Sequence, residues 1–479
     1  MSMLPSFLLS QSRRKPLAAC VAAMFALAAP EAIGATTWIV NTCSEGNAGS
    51  GTTGSLRYAA ANAISGDTVD MTGLSCSTIS LKTGAITIPQ NTLTLNGPGI
   101  ANLTITGRYN GTTEHDRIIN HTGTGTLSIY DLSVSEGYLK NPTGVASGGC
   151  IYSAGTLFLD RVGAYLCSAN TVSGTASGGG VYARNALTLK YSVLSSNTAY
   201  GGSSGYAHGG GARTPGNFSA KYSTISNNIA QGASGHITGN GGGLNLGGNV
   251  TITASTISRN HSGQDQGGID IFNISPGGVT ATITNSTISG NSAAHFIGGM
   301  YVNSGTVKIR NSTIAFNTAG QGRFGSFPFA YYAPGVATGE NFGPMAVTLQ
   351  SSLIANNIYG TASEYDLSVP HRASTTVTFS GANNLVRATF AAVPGDTIKL
   401  SCPLLGSLRF NGGPTQTHAL LSHSPGIDVG NNTAPFLTYD QRGSPNARVS
   451  GSVADIGAYE VQQGDIVFNN NFEGCPLLF

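Results

Sequence analysis

Charged residues are scarce in this 479-residue chain. Asp, Glu, Lys and Arg make up 9% of it, against about 25% in an ordinary globular domain. The formal net charge of +2 gives no large field of one sign, so the sequence predicts no nucleic-acid partner and no binding to a charged membrane surface. Low charge with 67 glycines is also typical of disordered chains. However, 40% of the residues are hydrophobic and they recur periodically, so a core can form.

Long apolar runs are absent beyond the N-terminal region. No later segment approaches the roughly 18 apolar residues of a transmembrane helix, so we expect no membrane span in the mature chain. Residues 1–35 have the pattern of a secretory signal peptide, in which the basic residues Arg13, Arg14 and Lys15 precede the apolar run Leu17–Ala29. Small residues suited to cleavage follow. The sequence therefore predicts export.

Cysteines are few but even in number once the signal peptide is removed. Seven are present, and Cys20 falls within the signal, which leaves six. An even set in an exported chain predicts disulfides. The simplest pairing is local and joins Cys43 to Cys76, Cys150 to Cys167, and Cys402 to Cys475. The alternative is that these are free, buried thiols.

Helical periodicity is also rare. One short helix is predicted at Gly54–Ala63, with Ser55 as its N-cap, inside an N-terminal cap of residues 36–78. Further along, a six-residue block recurs with the pattern Ser-[Thr/Val/Leu]-[Ile/Leu]-[Ser/Ala]-x-Asn. Its copies are Ser192–Asn197, Ser223–Asn228, Ser255–Asn260, Ser286–Asn291, Ser312–Asn317 and Ser352–Asn357. Steps of 31, 32, 31, 26 and 40 residues between them indicate a repeat architecture.

A Gly-Gly pair followed by an apolar residue repeats in step with this block. The apolar residues are Cys150, Val181, Ala212, Leu244, Ile269 and Met300. Alternating segments between the two anchors, such as Leu187–Ser192, predict strands. We therefore expect an all-β chain with a right-handed parallel β-helix over residues 79–400. The Ile/Leu column of the block would fill the interior. The Asn column would adopt the left-handed conformation at a turn, and its amides would stack into a ladder. A propeller fits less well because its blades need about 40–50 residues.

Both ends of the chain resemble bacterial surface proteins. Ser55, Leu56, Arg57, Ala59 and Ala63, followed by Gly66-Asp67-Thr68-Val69, resemble the N-terminal segment of surface β-helix proteins. Near the other end, the order of motifs is similar to that of the choice-of-anchor Q domain, which occurs on secreted and surface bacterial proteins. These motifs are Asn411–Leu420, Ser424–Gly430, Asp440–Gly443, Arg448 and Asp455–Glu460.

The resemblance implies export and a right-handed parallel β-helix of the pectate-lyase-like fold, and it implies no single activity. It assigns residues 401–460 to a choice-of-anchor Q-like region that caps the C-terminal part. Within the C-terminal tail of residues 461–479, Asp465–Gly474 resembles the short tails of some Gram-negative exported proteins, which implies a role in anchoring or sorting.

Acidic residues are few in the repeats, which bears on catalysis. Residues 148–360 contain Asp160, Asp265, Asp270 and Glu340, and only Asp265 and Asp270 are near each other. Hydrolases of polysaccharides need clustered carboxylates. Lyases of the pectate type need carboxylates for Ca²⁺ and a basic residue that abstracts a proton. Asp265 and Asp270 are therefore the candidate acidic site, with solvated loop acids as the alternative. No set of catalytic residues is recognisable.

Two other groups of residues are candidates for binding. Lys190, Lys221 and Arg310 hold the same position before the repeated block, which predicts either a basic strip for an anionic polysaccharide or a plain outward column of a strand. The longest insertion carries aromatic rings that would stack on sugars or cover the flank of the β-helix. These are Phe324, Phe327, Phe329, Tyr331 and Tyr332.

A last set of charged residues is assigned a structural role. Arginine and carboxylate groups form strong bidentate pairs, so a buried network of such pairs would hold the C-terminal cap together. Its members would be Asp440, Arg442, Arg448, Asp455 and Glu460.

Together these features predict an exported monomer, secreted or on the outer surface of a Gram-negative bacterium. It would bind glycans or other surfaces as a non-catalytic, adhesin-like scaffold, with a polysaccharide or cell-surface glycan as its partner. The alternative is a polysaccharide lyase or glycoside hydrolase of the same fold. We expect no cofactor and no metal, except Ca²⁺ under the lyase alternative.

Overall fold

The computed structural model describes residues 34–107, 116–232, 239–272, 278–320, 333–339, 345–360, 363–368, 377–389 and 391–465. The predicted signal peptide and the C-terminal tail lie almost entirely outside these ranges.

The described strands form four sheets. Sheet 1 has 23 strands: Thr37–Val40, Gly49–Ser50, Thr53–Gly54, Thr68–Asp70, Thr78–Ser80, Leu93–Asn96, Thr104–Thr106, Thr126–Ser135, Thr156–Tyr165, Ala186–Lys190, Val193–Ser195, Asn217–Lys221, Thr224–Ser226, Val250–Thr253, Thr256–Ser258, Val279–Thr284, Thr287–Ser289, Gly305–Arg310, Thr313–Ala315, Met345–Gln350, Leu353–Ala355, Val377–Ala382 and Leu385–Val386. Sheet 2 has nine: Ile86–Ile88, Ile119–His121, Ile151–Ser153, Val181–Ala183, Ala212–Thr214, Leu244–Leu246, Ile269–Ile271, Met300–Val302 and Val336–Thr338. Sheet 3 also has nine: Tyr138–Lys140, Ser168–Asn170, Thr198–Tyr200, Ile229–Gln231, His261–Ser262, Ser292–Ala293, Thr318–Ala319, Ile358–Tyr359 and Ser363–Glu364. Sheet 4 has four: Val145–Ser147, Thr175–Ser177, Tyr206–His208 and Gly239–Asn240.

Equivalent strands of successive coils pair in parallel. In sheet 1, for example, Leu194 pairs with Ile225 and Ile225 pairs with Ile257. Among the described strands, antiparallel pairing occurs only between Gly49–Ser50 and Thr53–Gly54 and between Ile358–Tyr359 and Ser363–Glu364. Each repeat is therefore one coil of a parallel β-helix, which confirms the predicted fold and excludes a propeller.

Alternation within the short strands decides which side chains reach the core. In the strand Val181–Ala183 of sheet 2, the first and last residues are buried and Tyr182 between them faces outward. The Ile/Leu column of the six-residue block lies wholly in the interior, as predicted: Leu194, Ile225, Ile257, Ile288, Ile314 and Ile354. The core is thus a stack of apolar side chains that runs from coil to coil.

The asparagines of the block form a continuous buried ladder. Each Asn Nδ2 donates to the Oδ1 of the equivalent Asn one coil further on, at 2.8–2.9 Å, from Asn197 to Asn357. The last amide donates to Asp366 Oδ1 at 2.7 Å. The left-handed conformation expected for the Asn belongs instead to the residue before it, such as Arg259 with φ 55°. That residue turns the chain with its own side chain outward, so the Asn amide can face the interior.

Two predicted disulfides are present, Cys43–Cys76 and Cys150–Cys167. Cys402 is disulfide-bonded as well. Its predicted partner Cys475 lies outside the described residues, so that pairing stays a prediction.

In the following coils a glycine packs closely against an amide of the asparagine ladder, and in this coil the Cys150–Cys167 disulfide takes the place of that contact. The strand register places Cys150 opposite Gly180, not opposite the apolar residue that follows the glycines. A Cβ at Gly180 would lie 2.9 Å from the amide carbon of Asn197, so the amide ladder requires glycine there. One coil earlier, Cys167 donates its N–H to Asn197 Oδ1 and so precedes the ladder. The cysteine pair therefore joins the two positions that glycine and asparagine occupy elsewhere.

The helix described in the chain begins at Leu56 and ends at Asn62. Ser55 caps it by accepting a hydrogen bond from the Tyr58 N–H, as predicted. Its buried face packs against the strand Ile86–Ile88 and covers the first coil. Within the described ranges, no helix has the length and apolar character needed to cross a membrane.

Residues 401–465, of which the sequence assigns 401–460 to a cap of the C-terminal part, lie along sheet 1. The polar side chains of successive blocks hold this region through hydrogen bonds that connect distant parts of the chain. These join Thr256 to Gln416, Thr287 to Gln441, Thr313 to Ala458 and Ser351 to Asn431. The C-terminal region therefore covers a flank of several coils.

Two buried ion pairs organise this region. Arg442 Nη2 lies 2.8 Å from Asp440 Oδ2, and Arg448 Nη2 lies 3.0 Å from Glu460 Oε2. The N–H of Glu460 also donates to Asp440 Oδ2, which links the two pairs. Asp455 has a different role, because its carboxylate accepts hydrogen bonds from two backbone N–H groups.

Candidate functional site

Two columns of outward-facing side chains meet at the Gly-Gly corner of each coil. The middle position of sheet 2 provides Tyr152, Tyr182, Arg213, Asn245, Asp270 and Tyr301. The last residue of each strand in sheet 4 forms the second column, which consists of Ser147, Ser177, His208 and Asn240. An isolated β-bridge from Asn240 adds Gln266 to this column. Arg213 Nη1 donates to Ser177 Oγ at 2.9 Å, so the two columns face each other across the corner. We call this surface the corner groove.

Glycine makes this close approach of the two columns feasible. Gly178 turns the chain with φ 59°, and its equivalents Gly209 and Gly241 have φ 64° and 66°. A Cβ at Gly178 would lie 2.1 Å from the carbonyl oxygen of Val181. Only glycine adopts this conformation without strain. In these three coils the glycine directly before the Gly-Gly pair therefore positions the side chains of the groove.

The first end of the groove is aromatic and cationic. Tyr152 and Tyr182 stack with ring centroids 5.5 Å apart and an interplanar angle of 6°. The guanidinium carbon of Arg117 lies 4.8 Å from the centroid of the Tyr152 ring. A cleft of about 420 Å³ opens here, and Arg184 is also among its lining residues. This end can pack against a flat apolar face and can pair with negative charge.

The centre of the groove holds Arg213 beside a neutral histidine. Burial, reinforced by the positive charge of Arg213, lowers the pKa of His208 to about 3. The guanidinium carbon of Arg213 lies 5.4 Å from the centroid of the Phe272 ring. Burial also lowers the pKa of Arg213, while Tyr182 and Asp270 act to raise it. At neutral pH the centre therefore carries one cation and an uncharged imidazole.

The second end is acidic. Asp270 is 2% exposed, and Asn245 Nδ2 donates to its Oδ2 at 2.6 Å. Burial raises the pKa of Asp270 to about 7, although Asn245 and Arg213 act to lower it. Burial also raises the pKa of Asp265 to about 6, against the effect of His295, whose Nδ1 lies 3.3 Å from Asp265 Oδ1. The charge of Asp265 contributes to the raised pKa of Asp270, so the two carboxylates of the predicted acidic site are electrostatic neighbours.

Five buried polar atoms in the groove have no hydrogen-bond partner among the described residues. They are His208 Nδ1, Arg213 Nε, Asn240 Oδ1, Asn245 Oδ1 and Gln266 Oε1. Such atoms are uncommon in folded proteins because each costs about 1–3 kcal/mol of stability. Their concentration along one groove marks it as a candidate binding surface.

The basic column predicted from the sequence lies on sheet 1 and outside the corner groove. Lys190 Nζ is 2.9 Å from Asp160 Oδ2, so its charge is paired. Two threonines separate Lys221 from Arg310 in the register. Arg310 donates to the carbonyl oxygens of Pro435 and Thr433 in the C-terminal region. These three cations therefore do not form a continuous strip. The aromatic cluster Phe324 to Tyr332 lies outside the described residues, and its binding role stays a prediction.

Most residues of the corner groove escape the sequence prediction. Tyr182, Arg213, Asn245 and Asp270 each follow directly after the apolar residue of a Gly-Gly anchor. Strand alternation places that position on the outside, which is the signal that would have found them. It is easy to overlook because the residue type changes from coil to coil.

No group of three or more His, Cys, Asp or Glu side chains suited to a metal ion occurs in the described part of the chain. The expectation of Ca²⁺ under a lyase activity therefore stays a prediction.

Comparisons with known proteins add one structural similarity. No protein-family model matches the chain, so the resemblance to choice-of-anchor Q proteins stays a prediction. No curated protein matches either. Among solved structures, the crystal structure of pectate lyase Pel9A is similar to 89% of this chain and 97% of that chain, with 14% sequence identity and a TM-score of 0.46. The assignment of this chain as a parallel β-helix follows from its own strand ladders.

Proposed function

We propose that the protein binds a glycan chain lengthwise in the corner groove. The observation that carries the proposal is the stacked pair Tyr152–Tyr182 in line with five unpartnered polar atoms. Sugar rings pack their apolar C–H faces on aromatic rings, and their hydroxyl groups exchange hydrogen bonds with amide, imidazole and guanidinium groups. The groove offers both kinds of contact along one line.

The repeat of the β-helix suits a polymeric ligand. Successive coils are about 4.8 Å apart, and each adds one outward side chain from sheet 2 and one from sheet 4. An extended chain can therefore be contacted at several consecutive coils, and the side chains at each coil select a local structure. This supports a polysaccharide over a small, compact ligand.

The location of such a ligand follows from the disulfides and the charge. Two disulfides are typical of proteins outside reducing compartments. They support the export that the sequence predicts, and an extracellular or cell-surface glycan as the partner. A net charge of +2 over 479 residues does not favour a nucleic acid.

Tyr182→Ala tests the groove directly. Removal of one ring from the stacked pair should weaken glycan binding about tenfold, which corresponds to about 1.4 kcal/mol. Affinity gel electrophoresis with xylan, mannan, polygalacturonate and dextran would first identify polymers that retard the wild-type protein. The same polymers would then be titrated against the variant.

The matched control for this experiment is Tyr191→Ala. Tyr191 stacks on Tyr222 with ring centroids 5.0 Å apart, but this pair lies outside the groove, at the bends between consecutive strands of sheet 1. The control should bind as the wild type does, and both variants should unfold at wild-type temperatures. Equal retardation of the Tyr182 variant and the wild type by every bound polymer would contradict binding in the corner groove.

Cleavage of the bound glycan is a second candidate function, and Asp270 is the observation that favours it. A buried carboxyl with a pKa raised to about 7 keeps its proton in a large fraction of the molecules at neutral pH, as a general acid requires. It would give this proton to the glycosidic oxygen as that bond breaks, while water adds to the sugar carbon and returns a proton to the solvent. Asn245 positions the carboxyl at the wall of the groove.

Asp270→Asn separates cleavage from binding. The amide has the same shape but no acidic proton, so release of reducing ends should fall at least about 100-fold while affinity stays within about twofold. Wild-type cleavage should decline as the pH rises through about 7, because the acid loses its proton there. If the wild type binds a polymer and releases no reducing ends from it, or if the variant still cleaves it, this second function is wrong.

A further inference from the structure

We propose that the cleft at the aromatic end of the corner groove recognises an oxyanion, namely a carboxylate, sulfate or phosphate group carried by the glycan. The inference rests on the glycan-binding function and names the substituent that the site selects. The described residues that line the cleft are Arg117, Arg184, Tyr152, Tyr182, Ser147 and Val145. Two of them are cationic and none is acidic.

The guanidinium of Arg117 is only partly used by the protein. Its Nη1 donates to Asn120 Oδ1 at 2.8 Å, and the group packs against the ring of Tyr152. Its buried Nε has no hydrogen-bond partner among the described residues. The neighbouring Asp116 accepts hydrogen bonds from the backbone N–H groups of Ala85 and Arg117, so its carboxylate is directed to the main chain. Arg117 therefore has donor capacity left for a ligand.

Arg184 brings a second cation to the same cleft. It follows the strand Val181–Ala183, and its backbone N–H donates to the carbonyl oxygen of Ser153, which fixes its position. Its side chain is exposed and forms no ion pair with any described residue. An anion in the cleft would be attracted by both cations, although Asp116 offsets part of the charge of Arg117. Guanidinium groups also match the geometry of carboxylate, sulfate and phosphate oxygens.

The rest of the groove makes this recognition directional. Asp270 lies three coils beyond Tyr182 on the same column and is close enough to Asp265 to feel its charge. Asp265, whose pKa is about 6, is mostly ionised at neutral pH and supplies the negative charge there. An acidic substituent is therefore attracted at one end of the groove and repelled at the other. A glycan with spaced acidic groups would be held in one direction and one register.

The experiment uses four polymers that share one backbone: dextran, carboxymethyl-dextran, dextran sulfate and dextran phosphate. We expect at least one charged polymer to bind the wild type more tightly than dextran does. Arg184→Gln and Arg117→Gln should each weaken that binding about tenfold, and the double variant about 100-fold. Increasing NaCl should weaken the wild type and have little effect on the double variant. The charged polymer with the largest loss identifies the oxyanion.

Lys308→Gln is the matched control, because it removes the same charge from an exposed position on sheet 1. It should bind every polymer as the wild type does. Because Arg184 is exposed, its variant keeps the test valid even if Arg117→Gln fails to fold. The proposal is overturned if no charged polymer binds more tightly than dextran, or if the arginine variants match Lys308→Gln. Glycan binding that is lost in Tyr182→Ala but unchanged in the arginine variants would overturn this inference alone.

Discussion

Arg448→Met should lower the free energy of unfolding by about 3–5 kcal/mol, because it leaves a buried carboxylate without its cation. Arg448 is completely buried. Its Nη2 lies 3.0 Å from Glu460 Oε2 and donates to the carbonyl oxygen of Asp455 at 2.7 Å, and its Nη1 donates to that of Gly457 at 2.9 Å. Methionine fills similar space and replaces none of these bonds. Urea unfolding followed by circular dichroism measures the loss.

The loss should depend on pH with a defined sign. Burial raises the pKa of Glu460 to about 7, and Arg448 acts to lower it. Without Arg448 that pKa rises further, so the glutamate becomes neutral over more of the acid range and its burial costs less there. The difference in unfolding free energy between wild type and variant should therefore be larger at about pH 8 than at about pH 5.

Arg161→Met is the control for this prediction. Arg161 pairs with Asp131 and Asp160, but its side chain is 47% exposed and the pair with Asp131 is open to solvent. Such pairs contribute about 1 kcal/mol or less. Equal losses in the two variants would show that Arg448 has no special role in holding the C-terminal region on sheet 1.

The coils were predictable because they repeat. The Ile of Ser255–Asn260 and the Ile of Ser286–Asn291 pair across coils in the register that the sequence spacing implies. The left-handed residue of the turn lies one position before the Asn that was predicted to adopt this conformation. The repeat shows which position must be Asn, but it does not show which residue bends the chain. The placement of the C-terminal region escaped prediction for a different reason. Its contacts, such as Thr287 with Gln441, join single side chains 154 residues apart and leave no periodic trace.

The candidate site was predictable only in part. Asp265 and Asp270 attract attention because acids are rare in the repeats, and both belong to the acidic end of the site. Tyr152, Tyr182 and Arg213 differ in type and are separated by about one coil each, so composition gives no cluster to recognise. Their proximity is created by parallel stacking, in which one outward position of every coil comes to lie beside the same position of the next. A binding groove on a β-helix is therefore encoded by position within the repeat and not by a local motif.

Asn260→Ala should destabilise the protein by about 3 kcal/mol, because the ladder amide bonds in both directions. Asn260 Oδ1 accepts from the backbone N–H of Asn228 and from its Nδ2, at 3.0 and 2.9 Å. Its own Nδ2 donates to the Ile225 carbonyl oxygen at 3.0 Å and to Asn291 Oδ1 at 2.9 Å. Alanine leaves two N–H groups of Asn228 buried without partners and removes the amide bond to the Ile225 carbonyl oxygen. Thermal and urea unfolding measure the loss.

Asn197→Ala, at the first position of the ladder, should cost less than Asn260→Ala. The coil before Asn197 carries Cys167 in place of an asparagine, so Asn197 Oδ1 accepts only from the Cys167 backbone N–H, at 3.0 Å, and one donor is left unpaired instead of two. Asn185→Ala, at an exposed position, should stay within about 0.5 kcal/mol of the wild type. The order Asn260, Asn197, Asn185 follows from the number of buried donors that each substitution leaves unpaired. If the interior and the first positions cost the same, the ladder stabilises the coils through packing and not through its chain of hydrogen bonds.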